Sequence, residues 1–211
     1  MAQQTLQVPV GERRIPMTYD EWLAWPEGES RQSEWVNGEA IVLMPPKTVH
    51  LLVQLFVARL LADFVDLFDS GRVGVAPFEM RLPSSGREPD IFFMNTVNLW
   101  RWTPERIVGP ADLVVELIST DSVTRDRRDK LWEYAEAGIP EYWLLDPRPN
   151  HQQADFYALG PSRAYEPIPL DNDGRFHSRV LPGFWLDPTW LWLDPLPKPA
   201  EILRRIVATP S

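Results

Sequence analysis

Residues 112–119 read DLVVELIS, an apolar run with one carboxylate, Glu116, set inside it, and residues 125–147 read RDRRDKLWEYAEAGIPEYWLLDP. Within the first, Asp112 to Ile118 has the pattern of a strand buried on both faces. Next, Asp121 to Ala137 reads as a helix, closed by Gly138 where a left-handed cap suits glycine. Glu141 to Leu145 returns as a strand. Upstream, Thr18 before Tyr19-Asp20-Glu21-Trp22-Leu23 is an N-cap with acids in the first turn, and predicts a short helix to about Trp25, stopping before Pro26. Ser33–Val36 and Glu39–Leu43 flank Asn37-Gly38, the dipeptide suited to the positive φ angles of a two-residue hairpin turn.

Between Thr48 and Phe68 the residues Leu51, Leu52, Leu55, Leu60, Phe64 and Leu67 recur at helical spacing and predict a long core helix. Val73–Leu82 and Asp90–Met94 read as strands separated by a turn over Pro83-Ser84-Ser85-Gly86. Beyond Pro147 short strands are expected at 154–158, 164–168 and 179–181, followed by the aromatic run 184–192 and a helix over 200–207. The succession indicates an α/β sheet covered by helices.

The chain has 211 residues, 44% hydrophobic and 24% charged, which fits one well-packed α/β domain. We expect an N-terminal tail over 1–17, a single domain over 18–194, and a tail or helix over 195–211. Cysteine is absent, which excludes disulfides, thiolate metal sites and a cysteine nucleophile. Any metal must sit on oxygen or on one of three histidines. Met1–Gly11 does not read as a secretory signal, and Gln54, Arg59, Asp63 and Asp66 interrupt the most membrane-like stretch, so a cytoplasmic protein without a membrane span is expected. Thirty acidic against twenty-one basic residues, a net charge of −9, oppose a general DNA-coating role. A nucleic-acid enzyme would need a local basic strip, or a metal ion to supply positive charge.

Chemistry points to two acids at the edges of apolar strands, Asp90 before Ile91-Phe92-Phe93 and Glu116 within 112–119. A carboxylate there normally has a partner, a metal or a shifted pKa. Two such groups meeting across neighbouring strands would form a hard oxygen site for magnesium or manganese, suited to phosphodiester hydrolysis; a buried ion pair is the plainer alternative. Asp126, Lys130 and Tyr134, spaced by four, share one helix face. By itself that spacing describes a solvated Asp–Lys pair with Tyr134 in the core; beside a metal, Lys130 would hold water or a phosphate oxygen. Glu34 reads as a hydrated surface acid before the hairpin turn, and His50 as a cap or packed histidine. Glu39, Glu141 and Asp146 read as ordinary strand-end acids. There is no P-loop, no dinucleotide fingerprint, no His-Glu-x-x-His and no Gly-x-Ser-x-Gly.

In the stretches SEWVNGEAIVLMPP (33–46), REPDIFF (87–93), DLVVELIS, RDRRDKLWEYAEAGIPEYWLLDP and LPGFWLDPTWLW (181–192), the sequence resembles the Uma-type restriction endonucleases of the PD-(D/E)XK superfamily. The likeness runs from about Thr18 to Trp192. It implies a restriction-endonuclease-like core, a central mixed sheet flanked by helices with a short-stranded C-terminal extension. It also implies a magnesium-dependent endonuclease acting on DNA, with Asp90 and Glu116 as metal ligands, Glu34 completing or orienting the shell, and Lys130 as the charge-stabilising lysine. A homodimer is expected from the class. The superfamily lysine two residues after Glu116 is replaced by Ile118, and Ser33 and Thr120 stand where the family usually has tyrosine and proline. The missing lysine and the acidic balance favour an alternative, a nuclease-fold binding or regulatory module with little catalysis, joined to a partner through its Trp-rich C-terminal segment.

Overall fold

Thr18 caps the first helix by the reciprocal pairing its sequence announces. Its side chain accepts from the Glu21 amide, while the Glu21 carboxylate accepts from the Thr18 amide at 2.7 Å. The structure, a computed structural model, describes residues 13–25, 33–43, 47–119 and 125–208. Thr120, the first residues of the helix expected from Asp121, and Pro26 lie outside these. In chain order the elements open with β1 (Arg13–Pro16), α1 (Tyr19–Leu23), β2 (Ser33–Val36) and β3 (Glu39–Val42). Asn37 (φ 48°) and Gly38 (φ 89°) make the tight turn between β2 and β3, both in the region the turn type requires. β1 adds to the free edge of β3, so residues 13–16 belong to a sheet and not to a tail.

The long helix α2 (Thr48–Leu67) follows. Its core face is set differently from the leucine pattern. Val53, Phe56, Val57, Leu60, Leu61, Phe64 and Val65 are buried, whereas Leu51, Leu52, Leu55 and Leu67 are about half exposed. Because apolar residues ring much of this helix, their spacing alone does not select the buried side. By length and composition α2 would suffice to cross a membrane, yet here one side of it packs into the core.

Next come β4 (Gly71–Val75), β5 (Glu79–Leu82), β6 (Ser85–Arg87), β7 (Ile91–Asn95), β8 (Arg106–Val108) and β9 (Leu113–Leu117). The single strand expected over 73–82 is two strands in different sheets; the chain crosses between them around Pro77, which has no amide to offer a ladder. A π-helical turn, Arg125–Lys130, leads into α3 (Leu131–Ala137), which Gly138 ends with φ 85°. β10 (Glu141–Asp146), β11 (Gln153–Leu159), β12 (Tyr165–Pro167), β13 (Phe176–His177), β14 (Trp185–Leu186) and α4 (Pro199–Ala208) complete the described chain. α4 buries Ile202 and Ile206 in the main core and so is integral to the domain.

Two six-stranded mixed sheets result, in the orders β1-β3-β2-β6-β5-β8 and β12-β11-β10-β9-β7-β4. The second is the central sheet, and strands expected as a C-terminal extension, β11 and β12, widen it. Side chains alternate across it. Ile91, Phe93, Leu113, Val115, Leu117, Trp143 and Leu145 face α2, α4 and the aromatic segment. Phe92, Met94, Val114, Tyr142 and Leu144 face α3 and the first sheet, packing with Met80, Leu82, Ile107 and Tyr134. Even-numbered positions of β7 and β9 therefore point toward α3.

Residues 179–181, expected as a strand, instead wrap a buried acid. Glu141 accepts from Trp143 Nε1 (2.7 Å), Ser178 Oγ (2.9 Å), and the amides of Arg179 (2.6 Å) and Val180 (3.2 Å). Burial pushes its carboxyl up, against these hydrogen bonds.

Candidate active site

β7 and β9 are antiparallel, with Ile91 opposite Val115, Phe92 opposite Val114 and Phe93 opposite Leu113. One step beyond the last pair of this register stand Asp90 and Glu116, and Glu116, which contacts Lys130 and Tyr134, falls on the face toward α3. Asp90 Oδ2 accepts from the amide of Leu117 at 2.7 Å, which ties the aspartate to the strand that carries Glu116. Its Oδ1 lies 3.2 Å from His50 Nε2, and its carbonyl accepts from Gln54 Nε2 at 2.9 Å. The N-terminal half of α2 thus positions Asp90. His50 is a partner of the candidate ligand, not merely a packed ring.

Glu116 is buried, and its Oε1 accepts from Lys130 Nζ at 2.8 Å and from Tyr134 OH at 2.7 Å. Lys130 and Asp126 are 3% and 1% exposed, which overturns the reading of a solvated pair. A π-helical turn carries them inward while leaving Arg128 exposed. Lys130 Nζ also lies 3.0 Å from Glu34 Oε1 and 3.7 Å from Asp126 Oδ1. Lys130 therefore reaches Glu116 from the segment that follows its strand.

Glu34 is fully buried rather than hydrated. Its Oε2 accepts from Arg87 Nη1 at 2.9 Å, and its Oε1 takes Lys130 together with the Glu88 amide at 3.3 Å. Both oxygens are committed to cations, so its place in a metal shell is not supported by this arrangement; it is the anion that holds Lys130. Arg87 is in turn gripped by Glu133, through Nε at 3.0 Å and through Nη2, and Ser85 donates its hydroxyl to the same glutamate. A continuous alternation of charge runs from Glu133 through Arg87, Glu34 and Lys130 to Glu116. Arg87 and Glu133 carry no signal in the sequence: one precedes Glu88-Pro89-Asp90 and the other stands between Trp132 and Tyr134 on a short helix.

Burial pushes the Glu116 carboxyl up to about 8; the anions of Asp90, Asp126 and Glu34 add to this and Lys130 opposes it. Burial also acts to raise Glu34, but the adjacent charges of Lys130 and Arg87 outweigh it and hold the group well below the usual carboxylate range. Lys130 shows the converse: burial acts to lower it, and Glu116 and Glu34 prevail and raise it. Glu88, two positions before Asp90, is pushed up to about 8 by burial, then by Glu34 and Glu79.

Among the described residues, no three acids or histidines converge as a ready metal cage. Asp90 and Glu116 instead offer an all-oxygen pair on adjacent strands, and the repulsion of Asp90 that helps to raise Glu116 is the kind a shared cation relieves. Such a donor set fits magnesium or manganese, which retain waters and accept few protein ligands.

The sequence matches the model of the Uma2 family, described as "Putative restriction endonuclease", over residues 19–189. No curated protein matches it significantly. Among solved structures, the fold is similar to a "putative nuclease belonging to DUF820 from Anabaena variabilis ATCC 29413", with a TM-score of 0.67, 20% sequence identity, and coverage of 84% of this chain and 98% of that one.

Proposed function

Because the chain belongs to the Uma2 restriction-endonuclease family, we propose that it is a metal-dependent endonuclease hydrolysing phosphodiester bonds in DNA. The observation that supports this reading is that Asp90 is tied to the strand of Glu116 through the Leu117 amide at 2.7 Å, with the Lys130 ammonium 2.8 Å from Glu116. Asp90 and Glu116 would hold magnesium or manganese. Bound there, the ion supplies positive charge to the phosphate and acidity to water. Lys130 keeps a fixed ammonium beside the reacting group, where it orients water and offsets charge growing on the phosphate oxygens. Glu34 positions Lys130, and Arg87 fixes Glu34. Tyr134 donates to Glu116 Oε1 and sets the rotation of its carboxylate.

The test is cleavage of supercoiled, linear duplex and single-stranded DNA by purified protein with magnesium or manganese. Asp90→Ala and Glu116→Gln should lose at least about 100-fold in rate, the scale expected when a charge-stabilising group is removed, while retaining the wild-type circular dichroism. No cleavage of any DNA form with either metal would refute the proposal.

A second reading, a non-catalytic module on the same fold, draws support from the closure of Glu34, Lys130 and Glu116 into one ion-paired core. With Glu116 protonated, as its pKa of about 8 favours at neutral pH, such a core is neutral without a metal. Calorimetric titration with magnesium and manganese separates the two, since only the enzyme requires binding that Asp90→Ala abolishes.

A further inference from the structure

The π-helical turn that sends Lys130 inward sends Arg128 the other way. Beside it lies a cavity of about 460 Å³ whose lining includes Arg14, Arg87, Arg125 and Arg128, against the two acids Asp129 and Glu133. In a chain with a net charge of −9 this is a local concentration of positive charge. Trp132 also lines the cavity, and at 67% exposure its indole is among the most open large apolar side chains of the described residues. A tryptophan on the first turn of α3 has the whole interior of the fold at hand, yet it stands in water at the rim of a cationic cavity.

We propose that this cavity is a subsite for an unpaired nucleotide of single-stranded DNA, with the base stacked on Trp132 and the adjoining phosphates met by Arg128 and Arg14. This deepens the nuclease reading and rests on it for the identity of the polymer. Base stacking on an exposed aromatic ring, flanked by arginines that follow the backbone, is the usual construction of single-strand binding surfaces. A duplex hides its base faces and offers the indole nothing to stack on. Arg128 pairs with Asp129, and Arg14 with Glu39 at 3.4 Å, in exposed contacts. Such pairs are weak enough for a phosphate to displace their acids. Arg87 is committed to Glu34 and Glu133 and contributes charge rather than a donor. It also links this cavity to the Lys130 network through Glu34.

Binding is measured by fluorescence anisotropy with a short fluorescein-labelled single-stranded oligonucleotide and its duplex, in EDTA so that cleavage plays no part. Wild type should prefer the single strand. Trp132→Ala should weaken single-strand binding about ten-fold, the equivalent of one lost base stack, Trp132→Phe should restore most of it, and duplex binding should be unchanged. Arg128→Ala should weaken binding and reduce the salt slope by about 0.7, the loss of one phosphate contact on a single strand. Urea unfolding confirms that these surface variants are folded. The proposal is overturned if Trp132→Ala binds single strands as wild type does, or if the wild type prefers duplex or binds neither. Binding with the expected variant effects, but without cleavage under any metal, would sustain the subsite and refute only the enzymatic reading.

Discussion

Replacing Lys130 with methionine removes an ammonium but keeps an unbranched stem of similar length. The change strikes three carboxylates together, Glu34 and Glu116 at 3.0 and 2.8 Å and Asp126 at 3.7 Å. Breaking one side of a buried ion pair costs about 3–5 kcal/mol. The low end is expected here, because Glu116, whose pKa is already pushed up to about 8, takes up a proton at neutral pH and sheds its share of the imbalance. Glu34 keeps Arg87. We therefore expect a loss of about 3 kcal/mol in urea unfolding at pH 7, or roughly 6–12 °C in Tm for a chain of this length. The double variant Glu116→Gln/Lys130→Met should lose clearly less than the sum of the single losses, since the neutral amide no longer requires a cation. A loss below about 1 kcal/mol, the value of an exposed pair, would refute the buried network and return Lys130 to the surface.

Leu60→Ala should cost about 2–5 kcal/mol by emptying a core position, while Leu52→Ala, half exposed on the same helix, should stay within about 0.5 kcal/mol in the same urea assay. Glu34, ionised in the fold at a pH where the unfolded chain has already bound a proton, contributes stability that is present above its ordinary value of 4.5 and lost as pH falls below it. Glu34→Gln should therefore be less stable at neutral pH and lose stability less steeply below pH 4.5, by about one proton, in unfolding measured across pH. Glu141→Gln turns one acceptor into a donor facing other donors, and should cost about 1–3 kcal/mol and open residues 178–181 to limited proteolysis.

Much of the fold was legible because local chemistry and tertiary structure agree: Thr18 with Glu21, Asn37 with Gly38, and Gly138 each do what their residue types predict. Asp90 and Glu116 stood out because a charge in an apolar strand needs a partner. The partners themselves were harder to see. Lys130 is separated from Glu116 by a turn of irregular pitch, so a spacing of four did not reveal that its helix face is buried. Glu34 reads as hydrated in one dimension because Arg87, its counter-ion, is brought in by a strand fifty-three residues away. The buried side of α2 was misjudged for a related reason: leucines occur all around the helix, and only the packing of the central sheet chooses among them.

The π-helical turn at 125–130 winds one residue more into its circuit than an α-helix does. Deleting a single residue there would let it relax to ordinary pitch and rotate everything ahead of the deletion relative to α3 by about 100°, the angle between successive helical residues. Nothing in the strands would change, and Glu34, Asp90 and Glu116 would stay in place, yet the side chains of the turn, Asp126 among them, would be dealt out afresh between interior and surface. Loss or gain of activity in such a lineage would then trace to the length of one helical turn, with the acids on the strands preserved.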